Sequence, residues 1–139
     1  SDLSFEDLTN RDIDDYTYKL ISINDLCEYQ SEEITCYVLE SIPNIKSEYS
    51  KHITWVIKLD TTYLAIKEHS YDTKSELLKI KTIEFIEKTK DTSTYYVMNK
   101  LNVKNIQKNT STSLIVNNIE INLNIQDSDF NDMNLKRLP

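Results

Sequence analysis

The sequence predicts a mainly β protein, a curved antiparallel meander of about seven strands with a short helix or helical turn at its N-terminal end. Three observations predict it. From residue 16 onward, apolar and polar residues alternate with period two in runs rich in Ile, Val, Thr and Tyr. The connections between runs are too short for the crossover helices of a parallel sheet, which leaves antiparallel neighbours. Tyrosine is common, at nine copies, and suits a sheet with a half-exposed face, because its ring covers apolar surface while its hydroxyl stays wet.

The elements follow in order. In "SFEDLTNRDIDDY", Ser4 is placed to cap a helical turn over residues 4–10, with Asp7 three positions on and Phe5 and Leu8 on one face. Asp12, Asp14 and Asp15 end it. "YTYKLISINDLCEY" (16–29) is the first strand, and "EITCYVLESIP" (33–43) is the second. It closes at Pro43, where no ladder donor is needed. "YSKHITWVIK" (49–58) and "TYLAIKEHSY" (62–71) form a hairpin around Asp60 and Thr61. A regular ladder from that turn pairs 59 with 62, and hence 52 with 69. In "SELLKIKTIEFIEKT" (75–89) the apolar parity changes between Leu78, Ile80 and Ile83, Phe85, as a β-bulge would produce. "STYYVMNKLNVKNI" (93–106) and "TSLIVNNIEINLNI" (112–125) complete the set. In the polar tail, Phe130, Met133 and Leu135 are able to pack as a closing turn.

The chain contains no glycine, so Asn, Asp, Ser and Thr must make every tight turn, and phosphate-cradling glycine loops are excluded. Its 139 residues fit a single domain, 1–139. A formal charge of −7 argues against nucleic acid as a partner, because binding phosphates needs a basic face. The scattered lysines form no cluster suited to an anionic membrane surface.

Few residues qualify for chemistry. His52 and His69 fall opposite one another in the regular register, close enough to share a metal, but no further ligand has a claim. They read as surface histidines on the wet face, with a zinc-dependent activity as the weakest alternative. Cys27 and Cys36 flank a turn over residues 29–33 and could face each other across it, as a disulfide or as two thiols. Acidic pairs such as Asp14–Asp15 and Glu32–Glu33 lie in turns and termini, where solvated charge explains them. With two histidines on one face and no glycine-rich anion hole, no nucleophile–base constellation is met, so the sequence reads as a non-enzyme without catalytic residue, cofactor or metal. The apolar row Ile53, Trp55, Ile57, Leu64 and Ile66 on the central hairpin is either plain core or the wall of a cavity for an apolar ligand. Glu68 interrupts that row.

At these residues the chain resembles the LolA-like outer-membrane lipoprotein-sorting proteins, in the branch found as stand-alone periplasmic proteins beside efflux-type transporters. The likeness runs through "SFEDL" and "NRDIDDYTYKL", "CYVLESIP", "YSKHITWV", "YLAIKEHSYDTKSELLK" and "TSLIVNNIEINLNIQDSDFNDMNL", in that order. Each piece is a short strand pattern, and their order and spacing carry the resemblance. It implies an incomplete, half-barrel sheet whose apolar hollow receives lipid or lipoprotein acyl chains by binding and release. It also implies a bacterial periplasmic setting, a role in lipoprotein sorting and outer-membrane biogenesis, and an envelope transporter or partner protein nearby. The hollow would be lined by Ile53, Trp55, Ile57, Leu64 and Ile66, with Glu68 at its mouth. Two departures from the family pattern matter. The chain reads as the C-terminal larger part of the domain, without the family's first strands, which would leave a sheet edge open to self-association. The row Leu64, Ile66, Glu68, Ser70 is apolar throughout in the family, whereas here its second half is polar. The rival reading is a protein–protein interaction module of the cell envelope with no lipid cavity.

Overall fold

The computed structural model describes residues 12–115. It forms one open antiparallel sheet with strands in sequence order: β1 (Tyr16–Tyr29), β2 (Glu32–Pro43), β3 (Tyr49–Leu59), β4 (Thr62–Asp72), β5 (Leu77–Lys90), β6 (Ser93–Asn105) and β7 (Thr110–Ile115). The predicted meander is therefore present, and among the described residues the sheet does not close into a barrel. A 3-10 turn, Ile13–Asp15, precedes β1 and is capped by Asp12, whose side chain accepts from the Asp14 N–H. The turn predicted over residues 4–10, the strand beyond residue 115 and the closing turn at Phe130 lie outside the described residues. Among the described residues, no helix is long and apolar enough to cross a membrane.

The turns show how a chain without glycine reverses direction. Positive φ falls on Gln30 (50°), Ser31 (65°), Asp60 (55°), Ser75 (64°), Asp91 (55°) and Asn109 (55°). Asp and Asn tolerate this region through local side-chain hydrogen bonding, whereas Gln and Ser carry more of the Cβ penalty. Tyr29 pairs with Glu32, so β1 and β2 are joined by Gln30 and Ser31 alone, both left-handed. This is the loop that matches strand twist and usually takes Asn-Gly.

The apolar core has two parts. One holds Cys27, Cys36, Ile57, Leu64 and Ile66, with Trp55, Tyr29 and Phe85 among its partly buried neighbours. The other holds Leu101 and Val103 on β6, flanked by Ile83, Met98 and Leu114. The sheet also curls. β4 and β5 pair only as far as Lys67 and Thr82, and beyond that point the backbone of Phe85 is met by the β1–β2 turn. The Phe85 N–H donates to the Tyr29 hydroxyl at 3.1 Å, and the Gln30 amide donates to the Phe85 carbonyl at 3.1 Å. A strand group released from the ladder is thus satisfied by a non-neighbouring hairpin, and the first core cluster lies within that curl.

Candidate functional site: a buried polar cluster beside an apolar core

The central hairpin, β3 and β4, carries both the apolar row and its interruption. Leu59 pairs with Thr62 as the sequence requires, and Ile57 with Leu64. The register then shifts between Trp55 and Val56, where β3 advances one residue while β4 advances two. Below the shift Thr54 pairs with Glu68, Ile53 with His69, and His52 with Ser70. On β4, burial alternates without a break through Leu64, Ile66, Glu68 and Ser70. On β3 the buried residues are Ile57, then Thr54 and His52, so the parity changes at the shift; Tyr49, also buried, lies beyond a second shift between Tyr49 and Lys51.

This corrects three expectations that rest on an unbroken ladder. His52 and His69 are not opposite one another. His52 is not on a wet face but fully buried, at 0% exposure. Glu68 stands opposite Thr54 and not Ile53, the partner an unbroken ladder would give it, and at 5% exposure it sits inside a polar cluster. Of the five apolar residues, Ile57, Leu64 and Ile66 are in the core cluster and the partly buried Trp55 packs against it, while Ile53, opposite His69, is partly buried outside that cluster.

The polar cluster is built by three adjacent strands. Thr54 on β3 donates its hydroxyl to Glu68 Oε2 at 3.0 Å. From β5, Lys81 Nζ lies 3.4 Å from Glu68 Oε1. His52 Nδ1 lies 2.7 Å from Ser70 Oγ and 3.5 Å from Glu68 Oε1. Tyr49 meets the His52 ring edge-on with centroids 4.9 Å apart, and Tyr16 of β1 approaches the same ring at 6.1 Å. Lys79 Nζ is held 3.9 Å from Glu48 and 5.4 Å from the centre of the Tyr49 ring. Across β5 the patch meets the second apolar cluster, because Lys81 pairs with Val103 and Ile83 with Leu101.

The same facts displace the bulge expected in the fifth strand. The β5–β6 register runs unbroken from Lys79 to Glu84 and shifts only before Phe85. Lys79 is buried, and Ile80 is only partly so. A parity read from apolar residues misplaces the slip when a paired lysine occupies an inward position.

Chemically, the cluster sets a carboxylate against a lysine and an imidazole inside the sheet. Ser70 and Glu68 both approach the same nitrogen, Nδ1 of His52. A Ser–His–acid relay needs the serine on one ring nitrogen and the acid on the other. Among the described residues, no group of three or more His, Cys, Asp or Glu side chains is placed to hold a metal ion.

His69 lies on the other side of the ladder, its ring 4.6 Å from that of Trp55. Burial, then the neighbouring Lys67, holds its imidazole below the ordinary value. Lys67 Nζ sits 4.2 Å from the centre of the Trp55 ring, and the indole N–H donates to Asp25 at 3.2 Å. Trp55 thus joins β1, β3 and β4 at the border of the apolar core.

The cysteine question left open by the sequence has an answer. Cys27 and Cys36 form a disulfide between β1 and β2. They are a diagonal pair, since Cys27 pairs with Ile34 and Cys36 with Asp25. The two-residue turn shortens the expected loop by enough to produce that offset.

Comparison with known proteins follows the architecture. The chain matches a domain from Vibrio parahaemolyticus described as a candidate outer membrane lipoprotein-sorting protein, at 27% identity and a TM-score of 0.71, over 99% of this chain and 55% of that one. It also matches a DUF1329 family protein from Desulfovibrio piger at 26% identity and a TM-score of 0.69, over 94% of this chain and 51% of that one. The chain therefore spans about half the length of these solved structures. No curated protein matches. A family model described as "Uncharacterized protein" matches residues 1–137. The chain belongs to that family, and its open seven-stranded sheet is a LolA-like fold.

Proposed function

We propose that the protein binds and releases the acyl chains of a lipid or lipoprotein in the bacterial periplasm, without bond chemistry. The observation that carries this reading is the likeness, over 99% of the chain, to the Vibrio parahaemolyticus domain described as lipoprotein-sorting. Two features of the chain support it. The curled sheet gathers an apolar cluster of Ile57, Leu64 and Ile66 behind the partly buried Trp55. The Cys27–Cys36 disulfide suits an oxidising compartment. In this reading an acyl chain enters past Trp55 and packs towards Ile57, Leu64 and Ile66, while Ile53, opposite His69, lies outside that cluster. Binding is driven by apolar area removed from water, at roughly 25 cal/mol per Å². Titration with a long-chain lysophospholipid tests it through the emission of Trp55, the chain's one tryptophan. A saturable blue shift that is weakened in Ile34→Asp, at a partly buried residue packed against the same cluster, supports the reading, and an unchanged spectrum up to the micellar limit contradicts it.

A second reading has its own observation. Ile57, Leu64 and Ile66 are already buried by the chain's own residues, while β1 leaves Leu20, Ile21, Ile23 and Leu26 exposed. That pattern fits an envelope interaction module whose working surface is the sheet edge. It predicts no lysophospholipid response and retained partner binding in Ile34→Asp.

A further inference from the structure

Towards one end the sheet separates into three hairpins. β2 and β3 pair from Ser41–His52 only as far as Tyr37–Val56, and β4 and β5 only as far as Lys67–Thr82. Beyond those points β1 stays paired with β2 to Tyr29–Glu32, β3 with β4 to Leu59–Thr62, and β5 with β6 to Lys90–Ser93. Cys27, Cys36, Ile57, Leu64 and Ile66, the buried residues of the first apolar cluster, all lie on these separated arms. Phe85 and Tyr96 pack against them from the third hairpin. An apolar cluster between arms that share no ladder is the part of a sheet most easily opened, because opening it breaks side-chain contacts and leaves every ladder intact.

Polar contacts from the tip of the first hairpin reach across the cluster to the third. The Tyr29 hydroxyl accepts from the Phe85 N–H at 3.1 Å. The Gln30 amide donates to the Phe85 carbonyl at 3.1 Å and to the Tyr29 hydroxyl at 3.3 Å. The second hairpin comes to the same place. Desolvation, then Asp60, Glu87 and Tyr29, hold the Tyr96 phenol above its ordinary value, and these residues come from all three arms. Gln30 makes its contacts from a left-handed backbone, at φ 50°, in a turn that ordinarily takes Asn-Gly. The longer side chain is what reaches Phe85.

We propose that Tyr29 and Gln30 form a latch on Phe85, whose release parts the first hairpin from the third and opens the apolar cluster to an acyl chain. The latch stands on this geometry alone; that an acyl chain passes it rests on the function proposed above.

The disulfide supplies a readout that needs no lipid. Cys36 is 0% and Cys27 6% exposed, so a phosphine reductant reaches them through an opened cluster. Native-state reduction, followed by alkylation and mass, should be on the order of tenfold faster in Tyr29→Phe and in Gln30→Asn, and faster again in the double variant. Phenylalanine keeps the ring in the cluster, and asparagine suits the left-handed turn but falls short of Phe85. In Gln30→Asn, which leaves the Tyr29 hydroxyl in place, the Phe85 amide should also exchange faster with solvent deuterium. The amides of Lys81 and Val103, paired outside the separated arms, should keep the wild-type rate. In stopped-flow mixing with a lysophospholipid, the double variant should take up and release the lipid faster, both rates rising together. Reduction at the wild-type rate in the double variant overturns the proposal. So does equal acceleration of all three amides, which marks general destabilisation, and so does faster reduction with unchanged lipid rates. Faster reduction with no lysophospholipid response in either protein upholds the latch and contradicts the acyl-chain reading.

Discussion

Glu68→Leu separates two accounts of the central hairpin. If the row Leu64, Ile66, Glu68, Ser70 is an apolar wall with an acid at its rim, leucine extends the wall and stability holds or rises. If Glu68 is the hub of a buried cluster, leucine removes the acceptor of the Thr54 hydroxyl at 3.0 Å and the carboxylate 3.4 Å from Lys81 Nζ. Loss of the hydrogen bond to the carboxylate costs about 1.5 kcal/mol. Breaking a buried ion pair costs about 3–5 kcal/mol, and the low end applies because the Lys81 side chain keeps 13% exposure. Burial of the leucine offsets roughly 2 kcal/mol. The net expectation is a destabilisation of about 2.5 kcal/mol, or a drop of roughly 1–2.5 M in the urea midpoint. Replacing both partners, as in Glu68→Leu/Lys81→Met, should return the midpoint most of the way, since a matched apolar pair removes both charges together. Urea unfolding followed by Trp55 emission measures all three. A Glu68→Leu protein as stable as wild type refutes the buried-cluster argument.

Three further outcomes follow from the turns and the cross-link. Cys27 and Cys36 are nine positions apart, so on chain-entropy grounds Cys27→Ala/Cys36→Ala should lose about 2.6 kcal/mol, and thermal unfolding with and without reductant should show the same gap. Ser31→Gly relieves a left-handed serine at φ 65° and should stabilise by a few tenths to about 1 kcal/mol in urea unfolding, the strain released less the entropy that glycine adds to the unfolded chain. The Asp72 carboxyl is held below its ordinary value by the Gln107 side chain and by the backbone N–H groups of Glu76 and Lys74. A lowered folded value means its stabilisation is present above the ordinary carboxylate range and is lost as pH falls through the folded value. The acid limb of a stability–pH curve should therefore be shallower in Asp72→Asn.

Much of the sheet was legible because period-two alternation and short turns leave little else for such a chain to form. The Leu59–Thr62 pairing followed from the Asp60–Thr61 turn alone. The register beyond it did not, because the shift at Trp55–Val56 leaves no sequence mark: both residues are apolar and fit either face. That one step moves His52 from the surface to complete burial. The polar cluster was missed for a related reason. Lys79, Lys81, His52 and Glu68 read as solvent-facing one by one, and only their pairing across three strands makes burial tolerable. The available signal was Glu68 itself, an acid in the phase of Leu64 and Ile66, with Lys81 in the next strand able to answer it. The disulfide turned on the length of the β1–β2 loop, which was fixed by two residues, Gln30 and Ser31, that are not the usual occupants of a turn with two left-handed positions.

The acyl-carrier reading stands or falls on whether this sheet holds a lipid in its own compartment. Native mass spectrometry of the protein recovered from a bacterial periplasm, with the Cys27–Cys36 disulfide intact, tests this most directly. The account predicts a fraction of the protein carrying adducts in the mass range of one acyl lipid, released by organic solvent and depleted in Ile34→Asp. Protein of bare polypeptide mass in every charge state, with no lipid in the solvent extract, would contradict it.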